Sequence, residues 1–235
     1  MNQTCLLSWE EGSGGNVQVD QLLLTPEERL FLKGEPEERL YFVQEGHGAV
    51  SVYDRIPKGD LYLARPDITL YFTPGLPHEI VNTGGGTMKL IVFRVKGGLA
   101  PVGASEGIQT WTSTGASENV GCGFWYTDIF NLAENETARE GLNLQLWGIG
   151  LRRPQKIDFA ELLTEAPKGA IRRHSHADTH EYYYVIQGHG RLEIGGQTKV
   201  LESGSVACVP AKTVHCLENT GDTSIMWIDI NVKAE

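Results

Sequence analysis

Short apolar runs rich in aromatic and β-branched residues recur along the chain between clusters of Gly, Pro, Asn and Asp. The clearest stretch, YYYVIQGHGRLEIGGQTKVLESGSVACVPAKTVHCLENTGDTSIMWIDINV, holds at least four such runs. Val, Ile, Tyr and Trp suit a pleated, half-buried surface, and the turn residues between runs stop each one before it lengthens. The pattern predicts an all-β protein, a sandwich or barrel of short strands. Helical periodicity is weak. Two short helices are expected. One runs from Thr25 to Arg29, where Thr precedes Pro, and the other from Asp158 to Ala166, where Asp could cap the first turn.

The runs repeat. Phe42-Val-Gln-Glu-Gly-His-Gly48 echoes Tyr184-Val-Ile-Gln-Gly-His-Gly190, 142 positions on, and Pro77-His78-Glu-Ile-Val-Asn82 echoes Val214-His215-Cys-Leu-Glu-Asn219, 137 positions on. Two landmarks in the same order at nearly the same offset indicate a duplicated domain. The boundaries read as residues 1–98 for the first copy, 99–145 for a linker and 146–235 for the second copy. The linker is rich in Gly, Ser and Thr. Its segment Phe124 to Phe130 is too aromatic to be freely solvated, so it should pack over the barrels.

Composition narrows the class. A net charge of −10 without a basic stripe is a poor match to nucleic acid or an anionic membrane. No apolar run approaches the roughly 20 residues that span a bilayer, and the first residues lack a basic start or apolar run. Four cysteines, Cys5, Cys122, Cys208 and Cys216, stand far apart without paired spacing and read as reduced thiols. A cytoplasmic protein acting on a small molecule is the expectation.

The candidate chemistry lies in the second copy. His174-Ser-His176 is followed by Glu181, and His215 comes after the turn residue Pro210. Residues two apart on a strand share a face, so His174 and His176 should project together. Glu181 would open the next strand, with Tyr183 and Val185 on its face, and His215 would open another. Three imidazoles and one carboxylate suit Fe²⁺, Mn²⁺, Ni²⁺, Co²⁺, Cu²⁺ or Zn²⁺ and leave positions for water or substrate. A structural zinc site would be closed and usually sulfur-rich. His180 stands beside Glu181 but should turn to the opposite face.

These residues resemble the two signature motifs of the cupin superfamily. The first is Gly, five residues, His-x-His, three or four residues, Glu, six residues, Gly; the second is Gly, five residues, Pro-x-Gly, two residues, His, three residues, Asn. The match runs from Gly169 to Asn219, with two departures. Only four residues separate Gly169 from His174, and Lys212 stands where the second motif has Gly. The resemblance implies two tandem double-stranded β-helix (jelly-roll) barrels, a bicupin, with few short helices and a metal inside the second barrel.

The first copy should hold none. His174, His176 and Glu181 correspond to Leu32, Gly34 and Arg39, and only His78 survives, matching His215. One imidazole beside an arginine cannot hold a divalent ion; the barrel is structural or an interface, with a small-anion site at Arg39 and His78 as the lesser reading. In the second pocket, Arg172 should share the inward face of His174 and either meet a carboxylate or phosphate substrate or form a structural ion pair. Tyr183 either donates a hydrogen bond or packs. Cys208 and Trp227 are read as core. His189, in a Gly-His-Gly turn repeated at His47, has a turn role, and Arg173 is solvated.

Metal cupins include dioxygenases, decarboxylases, isomerases and lyases. No general base beyond the ligands stands out, which favours metal-centred redox chemistry, so the first expectation is an iron-dependent dioxygenase on a small polar or carboxylated molecule. The alternatives are a metal-dependent isomerase, decarboxylase or lyase, and, in another class, a non-catalytic small-molecule-binding bicupin. Cupins commonly pair their barrels, so a homodimer is expected.

Overall fold

A computed structural model describes residues 1–53, 60–97 and 156–234, together with the backbone of strands 117–119, 124–128 and 142–147. Contacts divide the chain into two compact units. Met1–Ser8, Asn16–Leu132 and Pro154–Lys156 make the first; Trp9–Gly15, Ala133–Arg153 and Ile157–Glu235 make the second.

Both units are built almost wholly from antiparallel strands. The first holds β1 (Asn2–Leu7), β2 (Val17–Leu24), β3 (Arg29–Leu32), β4 (Glu37–Glu45), β5 (Gly48–Val52), β6 (Asp60–Ala64), β7 (Ile68–Phe72), β8 (His78–Asn82), β9 (Met88–Lys96), β10 (Ser117–Asn119) and β11 (Phe124–Asp128). They form two sheets, β1-β2-β9-β4-β7-β11-β10 and β3-β8-β5-β6. Alternate residues of both sheets meet in one core, with Leu22, Tyr41, Val43, Leu70 and Leu90 from the first and Leu30, Val50 and Ile80 from the second.

The second unit repeats the plan with β12 (Leu142–Trp147), β13 (Ile157–Glu165), β14 (Thr179–Gln187), β15 (His189–Ile194), β16 (Gln197–Glu202), β17 (Val206–Val209), β18 (His215–Asn219) and β19 (Ile225–Lys233). Its sheets are β12-β13-β19-β14-β17 and β16-β15-β18. The order β2-β9-β4-β7 in one unit is the order β13-β19-β14-β17 in the other.

The duplication extends to details. β4 is bulged against β9 between Val43 and Glu45, and β14 against β19 between Val185 and Gln187. Gly46 and Gly188 then turn with φ of 83° and 88°, each so close to the returning strand that a Cβ would lie 2.6 Å from the Cα of Met88 or Ile225. Asn82 donates to the carbonyls of Leu24 and Gly86 and accepts from Gly84 N, and Asn219 makes the same three bonds with Glu165, Thr223 and Gly221. The motif asparagine is thus a turn brace in both copies. The two departures from the cupin motifs also gain a meaning. Lys212 stands at φ 64° where the motif has Gly, and its counterpart in the first copy is Gly75 at φ 79°. Lys168, the residue followed by the motif's five positions before His174, stands at φ 66°. In both places a lysine holds the left-handed conformation that glycine takes without strain.

Neither expected helix forms. Asp158 to Glu165 lies in β13, which pairs on both sides, with β12 and β19, and Ala166 stands just past its end. Thr25 to Arg29 is a turn leading into β3. Thr25 N and Oγ1 both donate to Glu28 Oε2, a helix-start pattern, but Glu27 has φ 66° and the chain leaves the helical path at once. Within the segment read as a linker, Phe124–Asp128 pairs with β7 and Ser117–Asn119 pairs with Phe124–Asp128, extending the first unit's sheet. The last linker positions, 142–145, fall in β12, which pairs with β13 in the second unit, and the remaining ones lie outside the described residues, as does Cys122. Cys5, Cys208 and Cys216 are free thiols. Among the described residues no helix is long and apolar enough to cross a membrane.

Candidate metal centre

His174, His176, Glu181 and His215 come together inside the second unit, each offering one ligand atom, with those atoms all within 4.8 Å of one another. Glu181 sits near the start of β14 and His215 opens β18, as their turn-flanked positions suggested. His174 and His176 do not lie on a continuous strand. His174 forms an isolated bridge with His215, its N donating to His215 O at 3.0 Å and its O accepting from His215 N at 2.9 Å, and His176 lies in the loop that follows. The loop is held where Lys212 N donates to His176 O at 2.7 Å.

The local chemistry aims the nitrogens inward. His174 Nδ1 lies 2.7 Å from Arg172 O, and His215 Nδ1 lies 3.0 Å from Thr213 O. A carbonyl only accepts, so each Nδ1 carries the proton and each Nε2 presents a lone pair, the tautomer a metal needs. His176 Nε2 is 2.9 Å from Glu181 Oε1 and His215 Nε2 is 2.6 Å from Glu181 Oε2. Neither contact is aligned as an N–H···O bond, and both nitrogens are buried without a hydrogen-bond partner. Two neighbouring ligand atoms about 2.1 Å from one ion would themselves lie roughly 3 Å apart. The four residues therefore fit a shared cation better than they fit one another.

The electrostatics agree. Burial works to raise the Glu181 carboxyl, but contacts from His176 and His215 outweigh it and hold the group below the usual carboxylate range. Glu181 in turn raises His176 and, against burial, His215, while burial lowers His174. A divalent ion would compete with those protons, so its affinity should rise with pH.

Two carboxyls escaped the sequence reading. Glu161 on β13 pairs across to Asp229 on β19, and Asp229 to Tyr183 on β14, one row of the sheet. All three are buried, at 9%, 4% and 5% exposure. Burial, then the charges of Glu181 and Glu161, push the Asp229 carboxyl well above its usual range. An acidic interior of this kind calls for a cation. The signal for Asp229 was its place between Ile228 and Ile230 in an apolar strand; Glu161 was hidden by reading its segment with a helical period.

His180 is turned away from the site, its Nδ1 accepting from Ala211 N at 3.0 Å. Tyr183 is both packed and bonded, its hydroxyl donating to Glu181 Oε2 at 3.0 Å. Trp227 is core, beside Tyr183. Cys208 differs: Ala207 and Val209 take the inward face, and Cys208 Sγ accepts from Ser13 N. Arg172 is exposed rather than inward, and its carbonyl is what orients His174. Arg173 pairs with Glu193 at the surface. His189 serves its turn, its carbonyl accepting from Thr220 N.

Residues 161–231 match the family model described as a cupin domain. The second unit carries a cupin domain. Among curated proteins, this cupin resembles oxalate decarboxylase OxdC of Bacillus subtilis, 32% identical over 78 residues, or 31% of this chain and 20% of that protein. It also resembles an oxalate-binding protein of Thermotoga maritima, 27% identical over 64 residues, 27% of this chain and 53% of that one. The chain thus covers between about a fifth and a half of these relatives. Among solved structures, an oxalate decarboxylase formate complex from Lactobacillus farciminis aligns over 98% of this chain and 80% of that chain with a TM-score of 0.76 at 14% identity. A variant of the Bacillus subtilis enzyme aligns over 97% and 72% with a TM-score of 0.74 at 17% identity. The bicupin architecture therefore extends over nearly the whole chain, first barrel included.

Proposed function

We propose that the protein is a metal-dependent cupin enzyme of the lyase kind that decarboxylates a small carboxylate anion, with oxalate the first substrate to test and Mn(II) the first metal. The convergence of His174, His176, Glu181 and His215 on one point, with two buried imidazole nitrogens lacking aligned partners, carries the reading. Similarity to oxalate decarboxylases, among them a Bacillus subtilis enzyme described by its Mn(II) centres, supports the decarboxylase alternative over the dioxygenase and manganese over iron. A divalent ion at this point would supply positive charge to polarise a substrate carboxylate. The chain's own residues would hold that ion, orient its ligands through the Arg172 and Thr213 carbonyls, and keep bulk water from the buried Glu181, Asp229 and Tyr183. The overall change needs no oxidant: the C–C bond of hydrogen oxalate breaks, CO₂ leaves, and the proton takes its place on carbon to give formate.

The test is direct. Full chain purified without chelator and loaded with Mn(II) should release formate and CO₂ in equal amounts from oxalate, and the His176→Ala variant should not. Oxygen uptake by the iron-loaded chain with small carboxylates or diketones, without formate release, would return the dioxygenase reading. Similarity to an oxalate-binding protein favours a second reading, a non-catalytic binder. Saturable oxalate binding with no turnover under any metal would establish it.

A further inference from the structure

One hydroxyl reaches the ligand set from the barrel wall. Tyr183 follows Glu181 by two positions on β14, so both side chains leave the same face. Its ring is 5% exposed and packs in the core beside Trp227, with ring centroids 6.2 Å apart, which leaves it little room to swing away. A carboxylate oxygen only accepts, so the phenol facing it acts as the donor. It donates to Glu181 Oε2 at 3.0 Å. The Asp229 carboxyl also lies against Glu181. The two carboxylate oxygens are therefore not equivalent: each faces a ligand nitrogen, Oε1 that of His176 at 2.9 Å and Oε2 that of His215 at 2.6 Å, but only Oε2 also accepts a hydroxyl.

The first barrel shows the same reach. Tyr41 holds the matching position on β4, and its hydroxyl lies 3.2 Å from His78 Nε2 and 3.4 Å from Arg39 Nη1. With Arg39 where the second barrel has Glu181, the tyrosine goes to the one surviving histidine.

We infer that Tyr183 is a positioning residue that sets how Glu181 binds its ion: by donating to Oε2 it fixes the orientation of the carboxylate and weakens that oxygen as a ligand, so that the ion takes Oε1. The inference rests on the metal reading. It concerns geometry, so its test is spectroscopic. The full chain, its Tyr183→Phe variant and a Tyr182→Phe control, whose hydroxyl donates instead to Ser13 O, are loaded with Mn(II) and examined by electron paramagnetic resonance. Tyr183→Phe should keep Mn(II) within about tenfold of wild-type affinity but shift the fine structure, and the control should leave both unchanged. A Tyr183→Phe spectrum superimposable on wild type overturns the inference. Should that variant fail to fold, a crystal structure of the Mn(II)-loaded wild type decides: binding through Oε1 alone supports the inference, and binding through Oε2 or both oxygens overturns it. A wild type that takes up no divalent ion overturns the metal reading and this inference with it; bound Mn(II) on both oxygens overturns only the inference.

Discussion

Where β14 places Glu181, β4 places Arg39, and the two barrels diverge from that pair outward. In the second barrel Glu181 faces three histidines and pairs across to the small Val209 on β17. In the first, Arg39 pairs across to Phe72 on β7, and Phe72 stacks on His78 with ring centroids 3.7 Å apart. The ring fills the space that a metal and its ligands would take. Arg39 is tied to Glu37, Glu37 to Arg94, and Arg94 to Asp20, so the positive charge is matched by this barrel's own carboxylates. That balance removes the electrostatic reason for an anion at Arg39 and His78. Asp229, moreover, has Val92 as its counterpart on β9. The same register thus supports an acidic chamber with unmatched nitrogens in one copy and a filled, charge-balanced core in the other.

Four experiments can break or sharpen that contrast. The largest effect should come from Glu181→Gln, which is expected to abolish divalent-ion uptake measured by elemental mass spectrometry; His78→Ala in the other barrel should leave uptake unchanged, and a loss there would end the assignment of the metal to the second copy. Next is Val209→Phe, which copies Phe72 into the second barrel and should lower metal affinity on the order of 100-fold while far-ultraviolet circular dichroism is kept, because overpacking displaces the ligands.

Acid gives the third. Burial, with a smaller contribution from Arg39, pushes the His78 imidazole down to about 4 from its ordinary 6.5. Between those values the unfolded chain binds a proton there and the folded chain does not. Stability should therefore fall as pH drops from 6.5 to about 4, by about 3 kcal/mol, and His78→Gln should flatten that part of the denaturation profile. An unchanged slope would show that His78 already charges in the folded barrel. The smallest effect tests the two left-handed positions. Lys212→Gly should raise stability by about 1 kcal/mol in denaturant titration, and Gly75→Lys should lower it similarly, since space at Gly75 is open and only the backbone conformation differs.

Much of this was legible in the sequence because it depends on local spacing. Strand alternation placed Glu181, Tyr183 and Val185 on one face and His180 on the other; the repeat paired Leu32, Arg39 and His78 with His174, Glu181 and His215, and β-pairing reproduces two of those matches, Leu32 with His78 and His174 with His215. What local pattern could not give were distances between strands remote in sequence. Asp229 and Glu161 join Tyr183 only through the order β13-β19-β14, and the helix-like spacing of Asp158 to Ala166 yielded to two flanking strands that satisfy its backbone.

The sequence by itself determined the all-β duplicated plan, the four convergent side chains and the loss of three of them in the first copy, because each follows from residue type, strand alternation and the spacing of repeated motifs. Tertiary structure alone decided that Phe72 closes the first barrel over His78, that backbone carbonyls fix the histidine tautomers, and that one oxygen of Glu181 is held by Tyr183. Those outcomes depend on side chains meeting across strands, where packing and hydrogen-bond direction choose among arrangements that a linear pattern leaves equal.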